Sequence, residues 1–574
     1  MGETLKPLEP YKGKYFEGSW PSIPQLLTIT HSQYASNRGF TKIVGKEVIN
    51  LTYDQLFNKI NSTALYLKEQ GVQKGDRLIL NGKNSPNWAI AYLAILFAGA
   101  IVVPLDNQMP SEKVEQLSQF SEPNGIFADS DVIEKLNKNS FIKDQKIVIS
   151  LTDKGKNNLF TLDEIKSLTK KVASKDLPIG DDTAAILYTS GTTGNEKGVV
   201  LTHSNLVSNV FQASDPAFLV FDSTDIFYAL LPLHHSYAMT AVFLEAIGHG
   251  CEIVFGEGIV VSRVLNEMRL GKITLFLAIP LLYNKLLAGL MKKVKEKGLV
   301  AYALIRLLMV INGFLRRTFK INMGRKWFSQ LLDGIGMLDN NLCICGGGPL
   351  SAETFRQYQQ LGLDFIQGYG LTETAPILTL NPVSKFKVTS VGKVLPLVEM
   401  RIANPDFFGN GEVQVKGPNI CQGYYKDPKN TKELFTEDGF LKTGDLGHLD
   451  KENYLYLKGR AKNLIVTEGG KNVYPEEIED QFQLYDEIDQ IMVRGYIANK
   501  SHRSEEIEAL IYPNVEHYKE KGFNNDQIAT EIEKIVEEVN RKLIAYKKVT
   551  KITVLDKPMA MTSTKKIQRG KVSK

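Results

Sequence analysis

Two short apolar stretches, residues 184–187 (Ala-Ala-Ile-Leu) and 199–201 (Val-Val-Leu), flank the run Tyr-Thr-Ser-Gly-Thr-Thr-Gly-Asn-Glu-Lys-Gly at 188–198. Strand-length runs joined by so polar and flexible a segment predict a hairpin. Gly191, Gly194 and Gly198 lack a Cβ and let backbone N–H groups approach an anion. Thr189, Ser190, Thr192 and Thr193 add hydroxyl donors, and Lys197 adds charge. The set suits a triphosphate. A Walker A loop is excluded, because that motif ends Gly-Lys-Ser/Thr and here Gly198 follows Lys197. A plain Gly/Ser/Thr linker would not need so ordered a pattern.

At 574 residues the chain exceeds what one apolar core usually supports, so at least two domains are expected. Short apolar runs alternate with helix-length amphipathic segments, such as 53–70 before 77–80 and 264–270 before 274–278. That alternation predicts an α/β fold. Beyond residue 460 charged helical patterns dominate, notably 525–543, which sets a small α+β C-terminal domain (461–574) apart from a large N-terminal domain (1–460) of layered β-sheets and packed helices. A net charge of +5 spread over this length gives no concentrated basic stripe, and no nucleic-acid partner is expected. Cys251, Cys343, Cys345 and Cys421 lack zinc-type spacing and read as buried reduced thiols. The first residues lack the apolar core of a signal peptide, which predicts a cytoplasmic protein.

Two apolar stretches raise the question of a membrane. Residues 88–105 are divided by Gly99 and Pro104 into a buried helix and a strand. Residues 301–315, within an insertion at about 291–340, are interrupted by Arg306, preceded by Lys292, Lys293, Lys295 and Lys297 and followed by Arg316, Arg317 and Lys320. This stretch reads as too short and too charged to span, with Asn312 and Gly313 weakening any single long helix. Apolar residues between basic clusters suit peripheral contact through 291–326 with the inner face of a membrane; an ordinary amphipathic helix is the alternative.

Further clusters carry chemistry. Residues 367–376 read Gln-Gly-Tyr-Gly-Leu-Thr-Glu-Thr-Ala-Pro: after Gln367, Gly368 and Gly370 allow a tight path, Tyr369 offers an aromatic face to a base, Thr372 can bond phosphate, and Glu373 can ligate Mg2+. Upstream, Gly347 and Gly348 lie in a Gly-Gly-Gly-Pro turn. Residues 441–447 read Leu-Lys-Thr-Gly-Asp-Leu-Gly, in which Asp445 can accept a pair of hydroxyls. Arg460 and Lys462 follow in Gly-Arg-Ala-Lys-Asn, then Gly469 and Gly470 in Gly-Gly-Lys-Asn-Val-Tyr-Pro-Glu-Glu, and the chain closes with Met-Thr-Ser-Thr-Lys-Lys-Ile-Gln-Arg at 561–569.

In this order the motifs resemble those of the adenylate-forming superfamily, which includes acyl-CoA synthetases, luciferases and peptide-synthetase adenylation domains. The resemblance spans roughly residues 50–574. It implies that ATP, Mg2+ and CoA are used, that the 188–198 loop, Gly347, Gly348, 367–370, Asp445 and Arg460 bind nucleotide, and that Glu373 holds the metal. It further implies that Lys566 is the catalytic lysine, that Lys462 is the hinge of a mobile C-terminal domain, and that Gly469 and Gly470 meet CoA. Lys565 stands where the family pattern has glycine.

In Leu-Pro-Leu-His-His-Ser-Tyr, residues 231–237, His235 matches the family histidine that orients the acyl carboxylate. By the same resemblance, 238–246, 276–282 and 375–378 line the acyl pocket; they are mostly apolar, and 277–287 is similar to long-chain acyl-CoA synthetases. The expected activity is therefore ATP-dependent activation of a long-chain fatty acid through an acyl-adenylate, followed by transfer to CoA. Two alternatives stand beside it: an acyl-AMP ligase or acyl-ACP synthetase serving an acyl carrier protein, and a catalytically silent lipid-binding scaffold.

Overall fold

The computed structural model describes residues 20–137, 141–152, 159–189, 196–258, 260–467, 470–497, 505–562 and 566–572. A seven-stranded sheet forms one layer, in the order Gly423–Tyr424, Lys197–Thr202, Thr183–Thr189, Ile101–Leu105, Arg77–Asn81, Gly125–Ala128, Ile147–Ser150. A nine-stranded sheet forms a second; its central strands Leu342–Cys345, Leu275–Ala278 and Ile226–Ala229 run parallel. The expected hairpin is present, with Leu187 opposite Val199 and Thr189 opposite Lys197.

Between the two layers lies the helix Pro86–Phe97, packed on strands of both. Ser85 caps it by accepting from Trp88 N at 3.1 Å, and Pro86 opens it with a φ already suited to a helix. Every residue from Trp88 to Phe97 is buried, as a helix apolar on all sides requires. The helix ends at Ala98, Gly99 takes φ +85°, and the strand Ile101–Leu105 follows as expected. Pro104 sits in that strand without disrupting it, since the pairing toward Thr183–Thr189 involves only Val102 with Ala185. The four cysteines are buried and free.

A four-stranded antiparallel sheet, Glu399–Ala403, Gly411–Lys416, Leu441–Leu449, Leu455–Arg460, ends the larger part. Beyond the turn Ala461–Asn463, the three strands Ile488–Tyr496, Glu506–Pro513 and Lys551–Val554 and the helix Asn525–Lys542 close a separate apolar cluster that includes Val493, Ile511, Ile532 and Val536.

The insertion departs from expectation. Leu299–Phe319 is one continuous helix of 21 residues, long and apolar enough to cross a membrane by length and composition. Asn312 and Gly313 do not break it because both serve tertiary contacts. Asn312 is fully buried, donates to Gln360 O at 2.9 Å and accepts from Met323 N at 2.8 Å. A Cβ on Gly313 would stand 2.9 Å from Gln360 Cγ.

Candidate active site

A continuous cleft of about 2130 Å³ runs from the ends of the two large sheets to the small C-terminal unit. Its polar half is built on strand ends and turns. The strand Asp364–Gly370 is followed by the turn Thr372–Thr374 and by Ile377–Leu380, which returns antiparallel. The return is so close that a Cβ at Gly370 would lie 1.8 Å from Pro376 O, which only glycine permits. Thr372 Oγ1 lies 3.2 Å from Ser236 Oγ, and one oxygen of Glu373 accepts from Tyr424 OH at 2.9 Å.

Asp445 and Arg460 face one another across neighbouring strands, with Arg460 Nε 3.0 Å from Asp445 Oδ1. Tyr369 OH donates to the other oxygen at 2.6 Å. Burial and the Asp445 charge hold the Tyr369 phenol well above its ordinary pKa, so it stays a donor. The side chain of Gln367 is turned inward and donates to Ser390 O at 2.7 Å, although the residue borders the cleft. Gly347 (φ +80°) and Gly348 form a wall after the strand Leu342–Cys345.

On the side of the hairpin formed by Thr183–Thr189 and Lys197–Thr202, Thr189 and Lys197 line the cleft. Lys197 Nζ donates to Asn430 Oδ1 at 2.7 Å and lies over the Tyr424 ring at 4.7 Å. Ser190, Gly191, Thr192, Thr193 and Gly194 lie outside the described residues, as does Gly469. Gly470 (φ +66°) occupies the turn between Ile465–Val466 and Asn472–Val473 and does not border this cleft.

His235 sits at the junction of the polar and apolar halves. Burial, with the neighbouring His234, pushes it down to about 3, so its imidazole is neutral at pH 7. Its loop is held by a residue the sequence did not single out. Asn84 Nδ2 donates to Ala229 O (3.0 Å) and Leu231 O (2.7 Å), and Asn84 Oδ1 accepts from Leu233 N at 3.0 Å. Asp106, just past a strand end, lies 3.6 Å from His234 Nε2. Donor atoms of Asp106, His234 and His235 fall within 4.8 Å of one another, but the Lys566 ammonium also acts on His235, and that repels a metal cation.

Lys566 reaches the same place from the C-terminal unit. Enclosure by the cleft walls, then the Arg460 guanidinium, lower its pKa, with Asp445 opposing; solvent within the cleft still reaches the side chain. Thr562 and Lys566 close a small loop: Thr562 N donates to Lys566 O at 2.8 Å, and Lys566 N to Thr562 Oγ1 at 3.0 Å. Arg569 anchors that loop, donating to Glu479 Oε1 at 2.5 Å and Val493 O at 2.7 Å. Lys462, in the turn joining the two units, is lowered to about 8 by burial and by Arg460 and Arg569. Contact across the cleft also runs through Gln483, which accepts from Ser351 N at 3.0 Å and donates to Pro349 O at 3.2 Å.

The other half of the cleft is apolar. Ala241, Leu277 and Ile377 come from the three expected segments, and Leu219, Phe221 and Phe227 join them. Within 238–246 a short π-helical stretch, Met239–Leu244, leads to Glu245, which also lines the cleft. This segment is therefore not wholly apolar. Burial raises the Glu245 carboxyl to about 8; Ser214 donates to one oxygen, and among the described residues the other has no partner.

Such a cleft between a layered N-terminal fold and a small C-terminal unit defines a class. The family model for AMP-binding enzymes matches residues 31–425, and that for the AMP-binding enzyme C-terminal domain matches 462–574. The chain belongs to this family of adenylate-forming ligases. The long-chain-fatty-acid–CoA ligase FadD15 of Mycobacterium tuberculosis is 30% identical over 466 residues, covering 78% of this chain and 75% of that protein. The long-chain-fatty-acid–[acyl-carrier-protein] ligase AEE15 of Arabidopsis thaliana is 25% identical and covers 90% of this chain and 80% of its own. The fold is shared with ATP-bound MatB from Rhodopseudomonas palustris (TM-score 0.74, 24% identity, 96% of this chain and 97% of that one). It is also shared with the o-succinylbenzoate CoA synthetase MenE of Bacillus subtilis (TM-score 0.73, 22% identity, 96% and 98%).

Proposed function

We propose that this protein activates a long-chain fatty acid with ATP and passes the acyl group to CoA. The observation that carries the reading is the single cleft in which Lys566, Arg460, Asp445, Thr372 and Glu373 stand at one end and an apolar arm opens past His235 at the other. A carboxylate with a long hydrocarbon tail fits both halves at once. Glu245 does not recommend an amino acid, because it lies ten residues beyond His235, roughly two helical turns further along the segment, whereas an α-amino group is adjacent to the carboxylate.

A carboxylate oxygen attacks the α-phosphorus of ATP, the bond to the β-phosphate oxygen breaks, and pyrophosphate leaves, giving acyl-adenylate. Lys197 and the hydroxyls of its loop hold the triphosphate; Asp445 takes the ribose hydroxyls, and Tyr369 lies against the base. Lys566 bridges carboxylate and α-phosphate, where negative charge grows during attack. Neutral His235 orients the carboxylate without adding charge. Mg2+ would be held by the Glu373 oxygen not engaged by Tyr424, and it would neutralise phosphate charge. In the second half-reaction the CoA thiolate attacks the acyl carbonyl carbon and AMP leaves. The C-terminal unit turns about Lys462 between steps and carries Lys566 away.

The relative AEE15 favours a second acceptor, the phosphopantetheine of an acyl carrier protein. Incubation with Mg2+-ATP and palmitate, with and without CoA, separates the two. Acyl-CoA with stoichiometric AMP is expected; acyl-AMP accumulating regardless of CoA would move the reading to a carrier protein. Lys566→Ala should slow adenylation on the order of 10² to 10³-fold, about 3 to 4 kcal/mol, and spare thioester formation from supplied acyl-AMP. Equal loss of both half-reactions in a folded variant would overturn the role given to Lys566.

A further inference from the structure

The helix Leu299–Phe319 presents two apolar faces, and the protein covers only one. Ile305, Leu308 and Met309 pack inward, while Arg306 pairs with Glu353 and Arg316 with Asp364. On the opposite side Val300 (84% exposed), Leu304 (54%), Leu307 (56%) and Phe314 (60%) form a stripe at helical spacing, continued by Phe319 and Ile321. Monomeric soluble proteins seldom leave so contiguous an apolar surface open to water.

The charge around the stripe indicates what covers it. From residue 297 to residue 332 there is no aspartate or glutamate. Lys297 at the head of the helix, Arg317 in its last turn and Lys320 and Lys326 beyond it are exposed, with Trp327 beside them. Cations at the margins of an apolar stripe, with an aromatic ring near the boundary, match the interface of an anionic bilayer, where long basic side chains reach the headgroups. The buried inner face, and Arg306 and Arg316 tied into the fold, prevent the helix from crossing that bilayer although its length would allow it.

We infer that Leu299–Phe319 lies in the plane of an anionic lipid surface with its outer stripe in the acyl region, docking the protein there. The position also bears on substrate supply, a part of the inference that rests on the proposed fatty-acid reading. The preceding helix, Pro280–Glu296, packs along Leu299–Phe319 and contributes Leu281, Ala288, Gly289 and Lys292 to the cleft wall. The docking face and the cleft are thus two sides of one helical hairpin.

The test is flotation of the full chain with vesicles mixing phosphatidylcholine and phosphatidylglycerol, against phosphatidylcholine alone. Binding to the anionic vesicles, weakened by salt, is expected. The triple variant Leu304→Gln/Leu307→Gln/Phe314→Gln, and separately Arg317→Glu/Lys320→Glu, should each reduce it about tenfold or more. Thermal unfolding and pyrophosphate exchange with a soluble short-chain acid should stay unchanged in both variants, so failure here is distinguishable from failure of the ligase reading. Undiminished flotation of the triple variant, or equal binding to neutral vesicles, would overturn the inference. So would a dimer of the wild-type chain that the triple variant dissolves, with no vesicle binding, because a second copy would then cover the stripe.

Discussion

Two helices of this protein are apolar enough to attract the same reading, and they live in opposite surroundings. Pro86–Phe97 is sealed between the two large sheets; Leu299–Phe319 lies on the outside with half its apolar surface uncovered. The inner helix has aromatic neighbours on several sides, Trp88 stacking on Tyr92 at 5.5 Å and meeting Phe243 edge-on at 6.3 Å. The outer one has protein on one side and solvent on the other. Hydropathy reports how much a segment gains by leaving water, and topology decides what it leaves water for.

The comparison breaks first at Trp88. Trp88→Ala should cost about 3 to 5 kcal/mol in denaturant unfolding, because the interior around the inner helix cannot collapse into so large a void. A loss below about 1 kcal/mol would mean that this interior is loosely packed.

Glu245 sharpens the contrast, since it follows the π-helical stretch whose Phe243 meets the inner helix. Burial raises its carboxyl from an ordinary 4.5 to about 8. Between those values the folded state keeps a proton that the unfolded chain has released. This group's contribution is therefore undiminished below about pH 4.5 and becomes increasingly destabilising as pH rises toward 8. At about 1.4 kcal/mol per unit the penalty is a few kcal/mol. Glu245→Gln should remove it, so that the stability difference between variant and wild type grows from pH 5 to pH 8.5; a difference independent of pH would mean that the carboxyl is already ionised. The smallest effect belongs to the outer helix. Val300→Gln with Leu304→Gln should change unfolding free energy by no more than about 0.5 kcal/mol, since neither side chain leaves a packed environment; a larger loss would place the stripe against protein.

Much of the architecture was legible because it follows periodicity. The hairpin of 183–189 with 197–202, the helix and strand divided at Gly99, and the alternation of 53–70 with 77–80 appear where the pattern placed them. The residues quoted for nucleotide and metal that are described line one cleft, whereas Gly470, quoted for CoA, does not border it. What was not legible depends on distant partners. Asn84 looks like any loop asparagine, yet it fixes the loop of His235 from another strand end. Arg569 gave no sign that it would anchor the Lys566 loop to Glu479. Asn312 and Gly313 read as a break because local propensity cannot know that Gln360 awaits them.

The π-helical stretch Met239–Leu244 has one more consequence. It holds an extra residue in its turn, upstream of Glu245 and downstream of His235. Because the wide turn absorbs that residue, deleting one codon there would restore ordinary helical pitch while keeping the phase of the side chains that follow, Glu245 among them, and would leave the histidine loop untouched. The cleft wall at Ala241 is thus one reading-frame-preserving step from a narrower turn, a change confined to the residues between His235 and Glu245.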